Sequence, residues 1–319
     1  MINSCLHENF SGGIGDFLRG SVFLCEYSFL NNREYSVSFN KHAIGKYIIS
    51  PNSTTDDNII DLETYEYNSF KREWHEQLLE KIEYILNNYD TINISSYYHP
   101  ILHHHPKKLI EQLNSHKPNP QHIHYLANSI DFFQEIKDYV LSFLENLGIK
   151  ENFDVMHFRL GDMDSWGDLF SGLAIPKKHK NNINFQSFNF SFDKCLEIIK
   201  RFKNKPTVII SDNNKFKQWI RDLKRDDLIV LHDNSIHTSK KPGLFIYEDK
   251  ELHRNDDYLF YVAADMYLLT LANKNYGFSV YDWGSGFVYW LSRIYQKPVS
   301  LYKIQDIFTT PTIWVNGLD

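Results

Sequence analysis

Cysteine is scarce in this chain: three in 319 residues, Cys5, Cys25 and Cys195. Their spacing fits no metal site and their odd number fits no disulfide framework, which implies buried, reduced thiols in a cytosol-like compartment. No apolar run approaches the roughly 20 residues of a membrane span, and the opening MINSCLHENF has neither the basic stretch nor the apolar core of a secretory signal. The location expected from these absences is cytoplasmic, with no membrane span. Basic charge is not in excess either. With 34 Lys and Arg against 40 Asp and Glu the formal net charge is -6, which speaks against nucleic acid as a partner, because neutralising a phosphate backbone takes a cationic face. Two nucleotide motifs are missing as well. There is no GxxxxGK[ST] run, and counting on from Gly13 and Gly15 the third glycine of a dinucleotide fingerprint falls on Leu18. A P-loop enzyme and an NAD enzyme are both disfavoured. His99 with His103, His104 and His105 resembles a metal cluster in letters only, since consecutive histidines cannot all face one ion; no metal is expected.

What the chain does have is length and apolar bulk. Domains usually hold about 100–200 residues, so two are expected here, and 23 Phe and 20 Tyr supply the large side chains for their cores. The pattern opens as strand (2–7), glycine-rich turn, helix (16–30) and strand (34–39), the beginning of a βαβ unit. Residues 50–61 read as loop, and helical periodicity returns over 70–88 and 129–147. At 148–152 the composition turns polar and a new strand starts at 153–158, which places the boundary between domains 1–150 and 151–319. The second half repeats the alternation. Helices are expected at 192–202, 215–223, 257–272 and 284–295, and strands at 207–210, 228–231 and 276–280. The fold class is therefore α/β, with two Rossmann-like domains facing a cleft.

Two stretches carry chemistry. Gly12-Gly13-Ile14-Gly15-Asp16 lies between a strand and a helix, where glycines allow a tight turn and the free N–H groups of the helix start favour an anion. The sharper signal is Met156-His157-Phe158-Arg159-Leu160-Gly161-Asp162, at the carboxyl end of the strand that opens the second half. Ligands of open α/β sheets bind at such ends. The fork of Arg159 suits a diphosphate, His157 shares its strand face, and Asp162 is placed to hold the guanidinium.

His157-x-Arg159-x-Gly161-Asp162 resembles the HxRxGD motif of the fucosyltransferases that use GDP-fucose. Ser211-Asp212-Asn213-Asn214, with Trp219 following, resembles that family's SDD-type strand end. Asp265 and the stretch Phe278-Ser279 to Ser285-Gly286-Phe287 resemble its acidic helix and Ser-rich phosphate turn. The resemblance covers chiefly residues 150–298 and the first glycine loop. It implies a GT-B type glycosyltransferase with domain 1–150 on the acceptor side and 151–319 binding a nucleotide sugar, in which Arg159 takes the pyrophosphate, Asp265 the nucleoside, and Ser279, Ser285 and the opening N–H groups of the next helix the phosphates. Gly12, Gly13, Gly15, His157, Asp162, Ser211 and Asp212 join that donor site. The implied reaction is metal-independent transfer of L-fucose from GDP-fucose to a glycan hydroxyl, with inversion.

The chain also departs from this pattern. Gly15-Asp16-Phe17 stands where the family continues G-N-Q, and Leu160 replaces the second of its paired arginines. The GGIGDFL loop also resembles that of heptosyltransferases, where the Asp after the glycine is the catalytic base. Asp16 is thus the first candidate for the base, with Glu8 and Asp164 behind it, and an N-cap is its alternative role. UDP-xylose, GDP-rhamnose and a heptose nucleotide remain alternative donors, and an inactive nucleotide-sugar-binding protein is a further alternative.

Overall fold

The computed structural model describes residues 1–8, 13–52, 60–63, 80–81, 83–85, 87–95, 119–149, 151–160, 191–203, 205–232, 257–280, 284–309 and 315–317. The chain divides into two units. One comprises Met1–Phe133, Thr238–Lys240 and Ile294–Gln296; the other comprises Gln134–His237, Lys241–Arg293 and Lys297–Asp319.

In the first unit β1 (Ile2–His7) leads into α1 (Ile14–Leu30), and the chain returns as β2 (Tyr35–Lys41), parallel to β1. Nearly every β1 side chain is buried, as expected of a strand covered on both faces. β3 (Ile48–Ile49) is a short element. The last residues of the expected 50–61 loop are instead the start of β4 (Ile60–Glu63), and β5 (Ile92–Ser95) fits between β1 and β4, giving the parallel order β2-β1-β5-β4. A polar row crosses the middle of this sheet. Asn3 Nδ2 donates to Asn93 Oδ1 at 2.5 Å and Ser36 Oγ donates to Asn3 Oδ1 at 2.9 Å. These groups satisfy one another, so the row fixes strand register at little desolvation cost.

The helix expected over 129–147 forms over Gln134–Asn146, and its first residues belong to other elements. A separate helix precedes it: Asn119 accepts from the Gln121 N–H and Pro120 occupies the first turn of α2 (Pro120–Asn128), which Ser129 ends. Residues Asp131–Phe132 then extend as β6 against β3, and α3 runs over Gln134–Asn146. The apolar period had run on through a strand. α3 is counted with the second unit, although the boundary expected from composition falls after it; Tyr139 packs edge-on against Phe260 and Tyr261 there. Most of the helix expected at 70–88 lies outside the described residues.

The second unit holds β7 (Asp154–Arg159), α4 (Phe192–Phe202), β8 (Thr207–Ser211), α5 (Asn214–Asp222), β9 (Ile229–Val230), α6 (Asp257–Leu271), β10 (Lys274–Ser279), α7 (Gly286–Ile294), β11 (Val299–Lys303), α8 (Ile304–Thr309) and β12 (Val315–Gly317). Its sheet has the order β12-β11-β10-β7-β8-β9, parallel except for the β11–β12 pair. Read from β9, the parallel strands run 3-2-1-4-5: the chain leaves β7 to one side for β8 and β9, then crosses back to β10 on the other. The switch point of a Rossmann sheet therefore lies between the carboxyl ends of β7 and β10. One face of these strands is an aromatic ladder, with Phe158 stacked on Phe278 at 5.0 Å and Phe278 on Tyr302 at 5.4 Å. By the two-residue period His157 and Arg159 point to the opposite face. Among the described residues no helix is long and apolar enough to cross a membrane.

Candidate functional site

Arg159 closes β7 and pairs in register with Ser279, the last residue of β10, so both stand at the switch point. Its Nη1 lies 3.8 Å from Asp212 Oδ2, and the guanidinium keeps some contact with solvent. Asp212 follows the end of β8. Its Oδ1 accepts the Leu160 N–H at 2.8 Å, tying the two strand exits together. Asp162, expected to hold the guanidinium, lies outside the described residues. Ser211 donates across to the Phe158 carbonyl of β7 at 2.6 Å and accepts from the Asn213 N–H of its own turn at 3.1 Å. Asn213 caps α5 through the Phe216 N–H.

His157 is buried one turn of the pleat below Arg159. Its Nδ1 lies 3.2 Å from Ser285 Oγ, and its ring is 5.7 Å from that of Phe287. Gly277 is its partner on β10, and a Cβ there would run into the Leu301 side chain. Burial lowers the His157 pKa from 6.5 to about 4; Asp212 opposes the shift, Arg159 adds to it, Asp265 opposes it and Lys217 adds to it. The imidazole is therefore neutral at pH 7. Ser279 Oγ donates to the Gly284 carbonyl at 3.4 Å, and Gly284 takes a left-handed φ of 71° that lets the chain turn into α7. Ser285 is buried, whereas Gly286 and Phe287, which open α7, are partly exposed. Their N–H groups are available to an anion beside Arg159.

Two charged residues of this edge were not anticipated from the sequence. Lys217 is only 1% exposed, on the face of α5 that also buries Phe216 and Ile220. A helical side chain leans toward its helix N-terminus, which sets this cation toward the carboxyl ends of the strands. His232 follows β9, and its Nε2 lies 2.9 Å from Asp265 Oδ1 on α6. The signals were faint but present: Lys217 shares the apolar spacing of its helix, and His232 directly follows the strand expected at 228–231.

The glycine loop belongs to the first unit. Gly13 is the N-cap of α1, Gly15 is buried, and Gly12 lies outside the described residues. Asp16 sits at the third helical position, its Oδ2 accepting the Gly13 N–H at 3.2 Å and its Oδ1 3.2 Å from Arg19 Nη2. It thus satisfies the N-cap backbone N–H and still keeps a side chain 44% exposed. Glu8 is exposed; Asp164, the histidines at 99 and 103–105, and Tyr281, Asp282 and Trp283 lie outside the described residues. Cys5, Cys25 and Cys195 are buried thiols, and burial pushes the last two well up from the ordinary thiol range.

No protein-family model matches the sequence, and no curated protein matches it. Among solved structures the chain is similar to the Bradyrhizobium fucosyltransferase NodZ, at 11% identity and a TM-score of 0.47 over 95% of this chain and 94% of that one. An Arg-to-Lys mutant of Arabidopsis thaliana FUT1 in complex with GDP matches at 12% identity and a TM-score of 0.49, over 95% and 70%. POFUT1 in complex with GDP matches at 9% and 0.42, over 94% and 98%.

Proposed function

We propose that this chain is an inverting, metal-independent glycosyltransferase that binds GDP-fucose in its second unit and transfers L-fucose to a glycan hydroxyl recognised by its first. The observation that carries the reading is the placement of Arg159 at the β7–β10 switch point, beside Ser279, Ser285 and the opening of α7. A departing diphosphate needs fixed positive charge and aimed donors, and this corner offers a guanidinium and helix N–H groups. Asp212 holds the strand exit that presents Arg159, and neutral His157 fixes Ser285. In the transfer the acceptor hydroxyl attacks the anomeric carbon, the bond to the diphosphate oxygen breaks, and the hydroxyl proton passes to a carboxylate, for which Asp16 is the candidate.

Calorimetric titration with GDP, GDP-fucose, UDP and ADP, with and without EDTA, tests the donor assignment. GDP binds in EDTA, and Arg159→Ala weakens it by about 100-fold. A preference for UDP or ADP overturns the assignment, and absence of nucleotide binding overturns the whole reading. Asp16→Asn is expected to lower turnover by about 100-fold or more while leaving GDP affinity in place; unchanged turnover removes Asp16 from the base role.

A further inference from the structure

The turn after β9 is built more firmly than a connection requires. Tyr139 Oη on α3 donates to the Leu231 carbonyl at 3.4 Å, and the ring of Tyr261 on α6 lies 4.7 Å from the His232 imidazole. The His232 side chain is 3% exposed and Asp265 is 6% exposed. One imidazole nitrogen is accounted for: a carboxylate only accepts, so Nε2 carries the hydrogen shared with Asp265. In the neutral ring that leaves Nδ1 as an acceptor. This atom is fully buried and has no hydrogen-bond partner among the described residues. Buried acceptors are nearly always paired in a working protein, so an orphan fixed by a carboxylate is a place where a ligand completes the bonding.

β9 runs parallel to β8, and β8 to β7, so His232 stands on the same edge of the sheet as Arg159 and Asp212. Strands lie about 4.8 Å apart, which puts the β9 exit about 10 Å from the Arg159 corner along that edge, a separation suited to the nucleoside when the diphosphate sits at Arg159. We infer that His232 Nδ1 accepts a hydrogen bond from the bound nucleoside, either from the exocyclic amino group of the base or from a ribose hydroxyl, and that Asp265 is the positioning residue that fixes the imidazole tautomer. The inference rests on the nucleotide-sugar reading above. It changes the part expected of Asp265, whose influence on the nucleoside passes through His232.

The test is a cycle between protein and ligand. GDP, inosine diphosphate (no amino group) and the 2′- and 3′-deoxy forms of GDP are titrated into wild type, His232→Gln and His232→Asn, with thermal melting as the check on folding. His232→Gln keeps a donor toward Asp265 and deletes the Nδ1 acceptor, and it is expected to weaken GDP binding by about 10-fold. His232→Asn keeps an acceptor near the place of Nδ1 and recovers part of that loss. One analogue lacks the donor and binds wild type more weakly by a similar factor, yet loses nothing further in His232→Gln. Inosine diphosphate in that role identifies the base, and a deoxy form identifies the ribose. His232→Gln binding GDP as wild type does overturns the inference, as does an affinity loss that couples to none of the analogues. If wild type binds GDP and Arg159→Ala does not, either of those results leaves the donor reading standing; if wild type binds no nucleotide, both fall.

Discussion

The two ends of β7 each place a charge pair at nearly the same separation. At the start of the strand Asp154 Oδ1 lies 3.9 Å from Lys205 Nζ, and at its end Arg159 Nη1 lies 3.8 Å from Asp212 Oδ2. Their surroundings differ. Around Asp154 are two lysines, Lys205 and Lys274, and Lys205 is also tied to an amide: it donates to Asn152 Oδ1 at 3.0 Å, as Asn273 does at 2.7 Å. Beside Arg159 and Asp212, Lys217 and Asp265 add further charge around His157, which is held neutral among them. The sheet supplies the reason. At the amino ends of parallel strands the chain arrives from helix C-termini, whereas at the carboxyl ends helix N-termini begin and leave N–H groups for a ligand. Helix N–H groups beside charge at the carboxyl end, and their absence from the amino end, separate a binding edge from a structural one.

Removing a carboxylate from each end tests that contrast, and the carboxyl end shows the larger effect. Asp212→Ala deletes the acceptor of the buried Leu160 N–H together with the anion facing Arg159. It is expected to cost about 3 kcal/mol in urea unfolding, because breaking a buried pair leaves its remaining members poorly compensated. GDP affinity should fall with it, since the exit that presents Arg159 is no longer tied to β8. A cost below about 1 kcal/mol would place Asp212 among ordinary surface pairs.

The pH dependence of His157 comes next. The unfolded ring takes up its proton near pH 6.5 and the folded one only near 4. Stability from this group is therefore complete above about pH 6.5 and is lost as the pH falls from there toward 4. Over that window the loss is on the order of 3 kcal/mol. His157→Asn keeps a polar atom near Ser285 but does not titrate. Urea midpoints at pH 7, 5.5 and 4.5 should show the gap between wild type and variant shifting in favour of the variant as the solution becomes acid. Parallel curves would mean that the ring is not held neutral by burial.

These residues also show how far the sequence could be read. The β7 end was legible because His157 and Arg159 end an apolar strand and alternate with core residues. Asp212 was legible as a strand-end acid but not as the neighbour of Arg159: 53 residues separate the two, and only the register that sets Phe158 beside Ser211 brings them together. His232 had no motif around it, and its meaning comes from Asp265, which lies 33 residues away on α6. Lys217 was hidden for a different reason, since a lysine on a helix ordinarily reads as solvated. The helix expected at 129–147 formed over Gln134–Asn146, and only its first turn was misread, because apolar spacing alone does not separate a helix from a short strand that leads into it. The separate helix before it, Pro120–Asn128, carried a start signal in Asn119-Pro120.

The smallest expected effect lies at the amino end and has the opposite sign. Burial raises the pKa of Asp154, although Lys205 and Lys274 both favour its charged form, so desolvation outweighs its partners. An acid whose folded pKa is raised takes stability away as it ionises, and the loss begins as the pH climbs past the ordinary carboxyl value. Asp154→Asn retains the shape and cannot ionise. Its Tm at pH 7 should therefore be slightly above that of wild type, and the advantage should shrink to nothing as the pH is lowered through the carboxyl range. GDP affinity should not change, because Asp154 stands at the far end of β7 from Arg159. If Asp154→Asn instead lowers Tm at neutral pH, the Lys205 pair is a net stabiliser, and the contrast between the two ends of the strand is one of position alone.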